Sequence, residues 1–326
     1  MAQQMKAVQV VARGRAEFVN VPVPEVRPGH VLVKCHRLSL CGSDVQMLHF
    51  APESSYPFPP GTTGHEMVGH VVAVPNQEAE FKVGDRVLAL APGHLAMSEF
   101  FLAVRQHVIA LPDDLPMEQL LQAQQYGTVI YACQRLPSVI GKNVVVIGQG
   151  SAGLWFNFQL RRMGASQVLA LDLEDFRLAH AEYFGATAIC NNSQQEPIAF
   201  VAEQTNGQMA DLVVEAAGEV DSINLAVDLV RKFGDILYFG YPRAQRFEFN
   251  YDGLFHKCCR ATTIVGAAVE PNQTSTKLAL DVIARGEIDV SRIITHRLPF
   301  ADVNQAYELH KNRADGAVKI VIEMPE

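Results

Sequence analysis

The sequence predicts a two-domain α/β protein, with a β-rich domain joined to a doubly wound parallel sheet. At 326 residues the chain exceeds what one hydrophobic core usually serves. Its first third is rich in short apolar runs, and from residue 142 strand-like and helix-like segments alternate. Because both ends of the chain lack that alternation, residues 1–126 and 267–326 are expected to form one domain, and residues 127–266 the other.

The β-rich domain is predicted from short apolar runs separated by Gly and Pro. They are "MKAVQVV", "HVLVKCHRLSL", "MVGHVVAV", "RVLALA" and, near the end, "AVKIVIEM" (317–324). Several short strands at this spacing are typical of a sandwich or a partly open barrel. The proline-rich piece 52–60 is expected to be a loop.

The parallel sheet is predicted from six strands in βαβ order. They are "NVVVI" (143–147), "QVLAL" (167–171), "TAIC" (187–190), "DLVVE" (211–215), "DILYFG" (235–240) and "TTIVG" (262–266). Gly164, Gly185 and Gly234 stand where ends of the intervening helices are expected. Such a sheet is covered by helices on both faces.

Composition excludes several classes of function. Hydrophobic residues make up 48% and charged residues 19%, which is typical of a globular protein. A net charge of −8 argues against nucleic acid or an anionic membrane as a partner. No apolar run reaches the roughly 20 residues of a membrane span, and the start lacks a signal-peptide core, so a cytoplasmic location is expected. Six scattered cysteines without a C-x-x-C pair indicate reduced thiols and no structural zinc.

A dinucleotide fingerprint follows the first strand of the predicted sheet. Gly148, Gly150 and Gly153 form a G-x-G-x-x-G array between the strand "VVVI" and the helix-like "LWFNFQLRRM". The glycines would serve a tight turn, close approach of pyrophosphate and packing of the helix, in that order. The alternative is a glycine-rich turn in a doubly wound fold that binds something else.

The residues around this array favour NAD. Ser151 opens the helix whose N-terminus would receive the phosphates. Asp172 ends the second strand, 19 residues after Gly153, where a carboxylate accepts both ribose hydroxyls of NAD and repels a 2′-phosphate. Arg177 lies five residues further on and could stack on adenine.

A second group of residues has the chemistry of a metal site. Cys41 ends the apolar run in "LSLCGSDV", and His65 and Glu66 lead into the strand-like "MVGHVVAV". Taken singly, each is a common core or surface residue. Together, on a chain that also carries a dinucleotide fingerprint, thiolate and imidazole suit a catalytic zinc with one open position.

The motifs in order resemble those of the medium-chain dehydrogenase/reductase family, in its zinc-dependent alcohol and polyol branch (sorbitol and threonine dehydrogenase-like). They are "CGSD" (41–44), "GHE" (64–66), "VGDRV" (83–87), "GQGSAG" (148–153), "DLEDFR" (172–177) and "HRLPFADVNQAYEL" (296–309). The resemblance covers nearly the whole chain. It implies a GroES-like catalytic domain and a Rossmann nucleotide-binding domain.

The resemblance also implies a role for each residue of the metal cluster. Cys41 and His65 would be the first two zinc ligands, and Glu66 a carboxylate that binds the ion directly or supports it. Ser43 would take the proton of the substrate hydroxyl. Asp44 would orient the site.

Four departures from the family pattern stand out. After "GDRV" the chain lacks the cysteine-rich lobe that holds a structural zinc in many relatives. Gln46 stands where a relay histidine is common, with His49 nearby. Gln124 stands where a glutamate supplies a third ligand, and His70 where a small or apolar residue is usual.

The sequence therefore predicts an NAD-dependent zinc alcohol or polyol dehydrogenase that acts on a small alcohol or carbonyl. One weakly held zinc is expected on Cys41 and His65, with Glu66 and Gln124 sharing the remaining coordination. The alternatives are a zinc-free quinone or enone reductase of the same fold and an NAD-binding protein that has lost its chemistry. A homodimer, or a tetramer of dimers, is expected through "TTIVG" at the sheet edge.

Overall fold

The computed structural model describes residues 3–76, 80–264 and 266–326. The chain divides into two compact units. One consists of Met1–Thr128 and Ala267–Glu326, and the other of Val129–Gly266.

Within the described residues the chain forms fifteen strands and ten α-helices. The strands are β1 (Gln4–Ala12), β2 (Arg15–Pro22), β3 (His30–Ser39), β4 (Glu66–Ala73), β5 (Arg86–Leu90), β6 (Phe100–Val104), β7 (Val108–Ala110), β8 (Asn143–Ile147), β9 (Gln167–Asp172), β10 (Ala188–Asn191), β11 (Ala210–Glu215), β12 (Val230–Tyr238), β13 (Arg260–Thr263), β14 (Ile294–Pro299) and β15 (Lys319–Glu323). The helices are α1 (Gly42–Val45), α2 (Met117–Leu121), α3 (Ala123–Cys133), α4 (Ser151–Arg162), α5 (Asp175–Ala181), α6 (Pro197–Gln204), α7 (Val220–Leu229), α8 (Tyr251–His256), α9 (Thr274–Ala284) and α10 (Val303–Asn312). A π-helical turn, Gln46–Phe50, continues α1.

The first unit is built on a seven-stranded sheet. Its order is β14-β15-β3-β4-β5-β7, with β6 also paired to β3, and β1 and β2 form a separate hairpin. The central strand β3 pairs antiparallel with β4 and with the C-terminal strand β15. The two ends of the chain therefore share one sheet and one core, in which Val33 of β3, Met67 of β4 and Ile320 of β15 are all buried.

The second unit is a six-stranded parallel sheet of order β10-β9-β8-β11-β12-β13. Val144, Val145 and Val146 in its centre are fully buried, as expected of a strand covered on both faces. The order reverses at β8, which is the first strand of the unit, and the crevice of a doubly wound sheet lies at such a point. The predicted fold class is confirmed.

Two predicted details of this sheet are corrected. Gly164 follows the end of α4 and Gly185 closes the turn after α5, both with positive φ (92° and 100°), but Gly234 lies inside β12. Phe233 takes the positive φ there instead (59°), in the irregular stretch of β12 between Val230, which pairs with Ala210, and Asp235, which pairs with Leu212. The last predicted strand begins two residues early and ends at Thr263, and Val265 lies outside the described residues.

Among the residues that the structure describes, no helix combines the length and the apolar character needed to cross a membrane.

Candidate metal centre and cofactor site

Cys41 is fixed by the short helix that follows it. The chain leaves β3 at Ser39, and Cys41 is the N-cap residue of α1. Asp44, in the first turn, reaches back so that its Oδ2 accepts a hydrogen bond from the Cys41 backbone N–H at 2.8 Å. This reciprocal arrangement is a capping box. The "CGSD" stretch therefore holds the Cys41 backbone through a buried carboxylate.

His65 and Glu66 reach the same place because β3 and β4 are antiparallel neighbours. Leu38 pairs with Met67, so the end of β3 lies beside the start of β4. Cys41 Sγ, a His65 nitrogen and a Glu66 carboxylate oxygen all lie within 4.8 Å of one another. Strand pairing thus brings together Cys41 and His65, which are 24 residues apart in the sequence.

The carboxylate of Glu66 is fully buried and held on one oxygen only. Its Oε2 accepts a hydrogen bond from Ser39 Oγ. The same oxygen forms an ion pair with Lys319 Nζ, which donates to it at 2.6 Å. Lys319 is itself fully buried and lies on β15. The other oxygen, Oε1, has no hydrogen-bond partner among the described residues and lies 3.6 Å from His65 Nε2. A buried carboxylate oxygen aimed at an imidazole nitrogen and a thiol is what a bound cation requires.

Two imidazoles adjoin Asp44 on its other side. Its Oδ1 lies 3.6 Å from His65 Nδ1 and 3.9 Å from His94 Nδ1. Burial raises the pKa of Asp44, but the two imidazoles outweigh it and hold the pKa at about 2. For His65 burial lowers the pKa, and Asp44 with Cys41 outweighs it, so that the pKa lies well above its usual value.

The candidate relay residues, and His70, lie in different surroundings. Ser43 Oγ is buried without a hydrogen-bond partner among the described residues, as is Gln46 Oε1. The ring of His49 lies beside the β1–β2 turn, where a Cβ added to Gly14 would be 3.4 Å from its Nδ1. His70 packs its ring against His36 at 4.6 Å, within the sheet.

The contact with the Cys41 thiol comes from Gln125. Gln124 and Gln125 are both buried at the start of α3. Gln125 Nε2 lies 3.8 Å from Cys41 Sγ, and its Oε1 has no hydrogen-bond partner among the described residues. The amide next to the residue chosen from the family pattern is therefore also in contact with the cluster.

The glycine array has the backbone that a dinucleotide site requires. Gly148 has a φ of 92°, and a Cβ on Gly153 would lie 1.8 Å from the carbonyl oxygen of Gly148. Gly150 caps α4, and a Cβ there would meet nothing closer than Arg177 Nη1 at 3.7 Å. Ser151 begins α4 and is buried. The open face at Gly150, above a helix N-terminus, fits a phosphate group.

Asp172 ends β9 beside this loop and is buried. Its Oδ2 accepts a hydrogen bond from Gln149 N at 2.6 Å, and its Oδ1 accepts one from Glu174 N at 3.0 Å. Each carboxylate oxygen has a second lone pair for a further donor. The carboxylate therefore orders the loop and can still accept from a ribose.

Comparison with known proteins matches two dehydrogenase families to this chain. The alcohol dehydrogenase GroES-like domain family matches residues 27–113, and the zinc-binding dehydrogenase family matches residues 153–291. Sorbitol dehydrogenase of Homo sapiens is 28% identical over 91% of this chain and 90% of its own. The chain belongs to the zinc-type medium-chain dehydrogenase/reductase family.

Two further similarities extend across the chain. L-threonine 3-dehydrogenase of Symbiobacterium thermophilum is 26% identical over 99% of both chains. The alcohol dehydrogenase from Thermus sp. ATN1 superposes with a TM-score of 0.82 at 25% identity, over 98% of this chain and 100% of that one. Membership of this family makes the chain an oxidoreductase and supports a nicotinamide cofactor and a zinc ion.

Sequence reasoning missed four residues that adjoin the candidate metal cluster: Ser39, His94, Gln125 and Lys319. Lys319 carried a signal, since it is a charged residue inside the strand-like run "AVKIVIEM". The other three are polar residues in unremarkable local sequence, and only strand pairing and loop conformation bring them to the cluster.

Proposed function

We propose that the chain transfers a hydride between an alcohol or polyol, or the matching carbonyl, and NAD, with a zinc ion at Cys41, His65 and Glu66. The observation that carries the proposal is the convergence of these three donors, with Glu66 Oε1 buried and unpartnered among the described residues. The domain that supplies them would be residues 1–126 and 267–326, and the cofactor domain residues 127–266.

The donor set fits zinc in both chemistry and charge. Thiolate and imidazole are common zinc ligands, and a catalytic site usually has three protein ligands. One thiolate and one carboxylate balance the dication, so a neutral amide from Gln124 adds an oxygen without adding charge. When bound, zinc supplies Lewis acidity, which lowers the pKa of a substrate hydroxyl.

The chain's own groups would complete the reaction. We assign Ser43 Oγ to relay the substrate's proton, since it is a buried hydroxyl without a hydrogen-bond partner among the described residues. As it accepts that proton it would pass its own hydroxyl hydrogen on to water, because a serine hydroxyl cannot hold a second proton at neutral pH. The amide of Gln46 cannot ionise, so it can orient a hydrogen bond but cannot take up the proton. Asp44 would keep the Cys41 backbone in place while substrate enters.

NAD is the proposed cofactor because of the carboxylate at Asp172, which repels a 2′-phosphate. The double variant Asp172→Ser with Leu173→Arg is expected to shift preference towards NADP. The measurement is kcat/KM with each cofactor, for the unmodified chain and the variant. Better use of NADP by the unmodified chain would show that Asp172 has been misinterpreted.

The proposal has two rivals, a zinc-free quinone or enone reductase and an NAD-binding protein without activity. Zinc content measured beside NAD reduction on a panel of alcohols and polyols separates the three. We expect zinc-dependent NAD reduction. Zinc-independent reduction of a quinone or enone would favour the first rival, and cofactor binding without turnover the second.

The ligand set is tested by three single variants. Glu66→Gln is expected to reduce zinc retention and turnover more than Gln124→Ala does, because a carboxylate is the better donor. Gln125→Ala is the matched comparison, since it removes the neighbouring amide that touches Cys41. Full zinc and full activity in both Glu66→Gln and Gln124→Ala would place the third ligand elsewhere.

A homodimer, or a tetramer of dimers, is proposed through the edge of the parallel sheet. The edge strand β13 pairs only with β12 in the described residues, and its four residues are exposed. They read Arg-Ala-Thr-Thr, so backbone pairing rather than apolar burial would drive the association. Light scattering at micromolar concentration tests this, and a monomer would refute it.

A further inference from the structure

The loop that carries His94 is pinned next to the candidate ligand His65. Ala96 N donates to the carbonyl oxygen of Gly64 at 2.9 Å, and His94 N donates to the carbonyl oxygen of Ala91 at 2.8 Å. His94 adopts a φ of 54°, in the left-handed region that residues other than Gly take uncommonly, with Asn, Asp and His enriched there. The loop thus holds His94 in an uncommon backbone conformation, in which its imidazole faces the metal cluster.

His94 meets His65 and Asp44 at the same time. The two imidazole rings lie 4.3 Å apart between centroids, at an interplanar angle of 48°. His65 Nδ1 and His94 Nδ1 both face Asp44 Oδ1, at 3.6 and 3.9 Å. All three atoms are buried, and Asp44 as a whole is only 1% exposed. None of the three has a hydrogen-bond partner among the described residues. Leaving buried polar atoms without hydrogen bonds is unfavourable, so their convergence on one another calls for an explanation.

One proton arrangement satisfies all three atoms. If both imidazoles carry hydrogen on Nδ1, both can donate to Asp44 Oδ1, because a carboxylate oxygen has two lone pairs. A contraction of about 1 Å brings both distances to hydrogen-bond length. In that tautomer His65 keeps the lone pair of Nε2 on the side of Glu66. This is the nitrogen that a metal beside Glu66 and Cys41 would need.

We propose that His94 is a positioning residue of the metal centre, whose Nδ1 holds Asp44 against His65. Asp44 also holds the backbone of Cys41 through its Oδ2. One carboxylate thus aligns two of the candidate ligands, and His94 fixes that carboxylate from the solvent side, where its own side chain is 27% exposed. The inference deepens the proposed function and rests on it, since it takes Cys41 and His65 as ligands.

Two substitutions separate the hydrogen bond from the ring contact. His94→Phe keeps a ring against His65 but removes the donor. His94→Asn places an amide N–H near the position of Nδ1, and Asn tolerates positive φ. His70→Phe is the matched control, because His70 is also half-buried in a histidine ring pair, with His36 at 4.6 Å.

The whole chain is stripped of metal and titrated with Zn²⁺ against a chromophoric chelator, and with Co²⁺ by visible absorption. His94→Phe is expected to weaken Zn²⁺ binding about 10–100-fold, the usual effect of losing a partner that orients a ligand. It should also shift the Co²⁺ bands, because the ligand geometry changes. His94→Asn is expected to restore both, and His70→Phe to change neither. Melting of the metal-free variants reports separately on folding.

Three results would overturn the proposal. The first is unchanged Zn²⁺ affinity and an unchanged Co²⁺ spectrum in His94→Phe. The second is binding of two ions per chain with loss of one in His94→Phe, which would make His94 the ligand of a second ion. The third is no Zn²⁺ or Co²⁺ binding by the unmodified chain, which alone would also refute the proposed function.

Discussion

Replacing Lys319 with Met is expected to destabilise the unit that holds the metal cluster. The ammonium group of Lys319 lies 2.6 Å from Glu66 Oε2, and both side chains are fully buried. The substitution keeps most of the side-chain volume but leaves the carboxylate in the core without its cation. Ser39 Oγ remains as the only other hydrogen-bond donor to that oxygen among the described residues.

The size of the effect follows from the burial of both partners. Removing one member of a buried ion pair costs about 3–5 kcal/mol. Because the Ser39 hydroxyl still stabilises the carboxylate, we expect the lower end, about 3 kcal/mol. In a domain of 150–250 residues this corresponds to a fall in melting temperature of about 6–12 °C.

The assay is thermal and denaturant unfolding of the metal-free chain, so that loss of zinc does not contribute to the result. The double variant Lys319→Met with Glu66→Gln removes the stranded charge and should recover a large part of the stability. Lys82→Met, at an exposed lysine, is the matched control and should change stability by less than about 0.5 kcal/mol. The reasoning is refuted if Lys319→Met is as stable as the unmodified chain, or if the double variant is no more stable than the single one.

Three further outcomes are expected. Gly153→Ala should abolish binding of the dinucleotide, because the added Cβ would lie 1.8 Å from the Gly148 carbonyl oxygen. Gly150→Ala has room for the Cβ and should keep measurable binding. Quenching of protein fluorescence by the dinucleotide measures both. Glu118→Gln should lower stability at pH 7, since Arg297 donates to both carboxylate oxygens and lowers the pKa of Glu118. That stabilisation is present above the unfolded-state pKa of Glu118, about 4.3, and is lost as the pH falls through its lower folded-state pKa. The unfolding curves of Glu118→Gln and of the unmodified chain should therefore converge in acid. Zn²⁺ at about 100 times its dissociation constant should stabilise the unmodified chain by about 2.7 kcal/mol, and an unchanged melting temperature would contradict specific binding to the folded state.

The sequence by itself determined the elements whose causes are local. "NVVVI" is the strand β8 with the predicted bounds, because a β-branched run between glycine-bearing turns has few other ways to bury itself. The dinucleotide loop could be predicted in the same way, since Gly148 takes a positive φ and a Cβ on Gly153 would meet the carbonyl oxygen of Gly148, five residues away. Cys41, His65 and Glu66 were identified as candidate ligands through family motifs, and the pairing of β3 with β4 brings their donor atoms together.

Tertiary structure decided what depends on register and on loop conformation. Lys319 reaches Glu66 across 253 residues because β15 pairs with β3, and no short-range pattern encodes that partner. His94 faces Asp44 only because its loop is bonded to the Gly64 backbone and takes a positive φ. Likewise Phe233, not Gly234, takes the left-handed conformation, in the stretch of β12 where the register of pairing with β11 shifts. Backbone propensities act over a few residues, whereas the choice of partner for a buried charge is made by the sheet that encloses it.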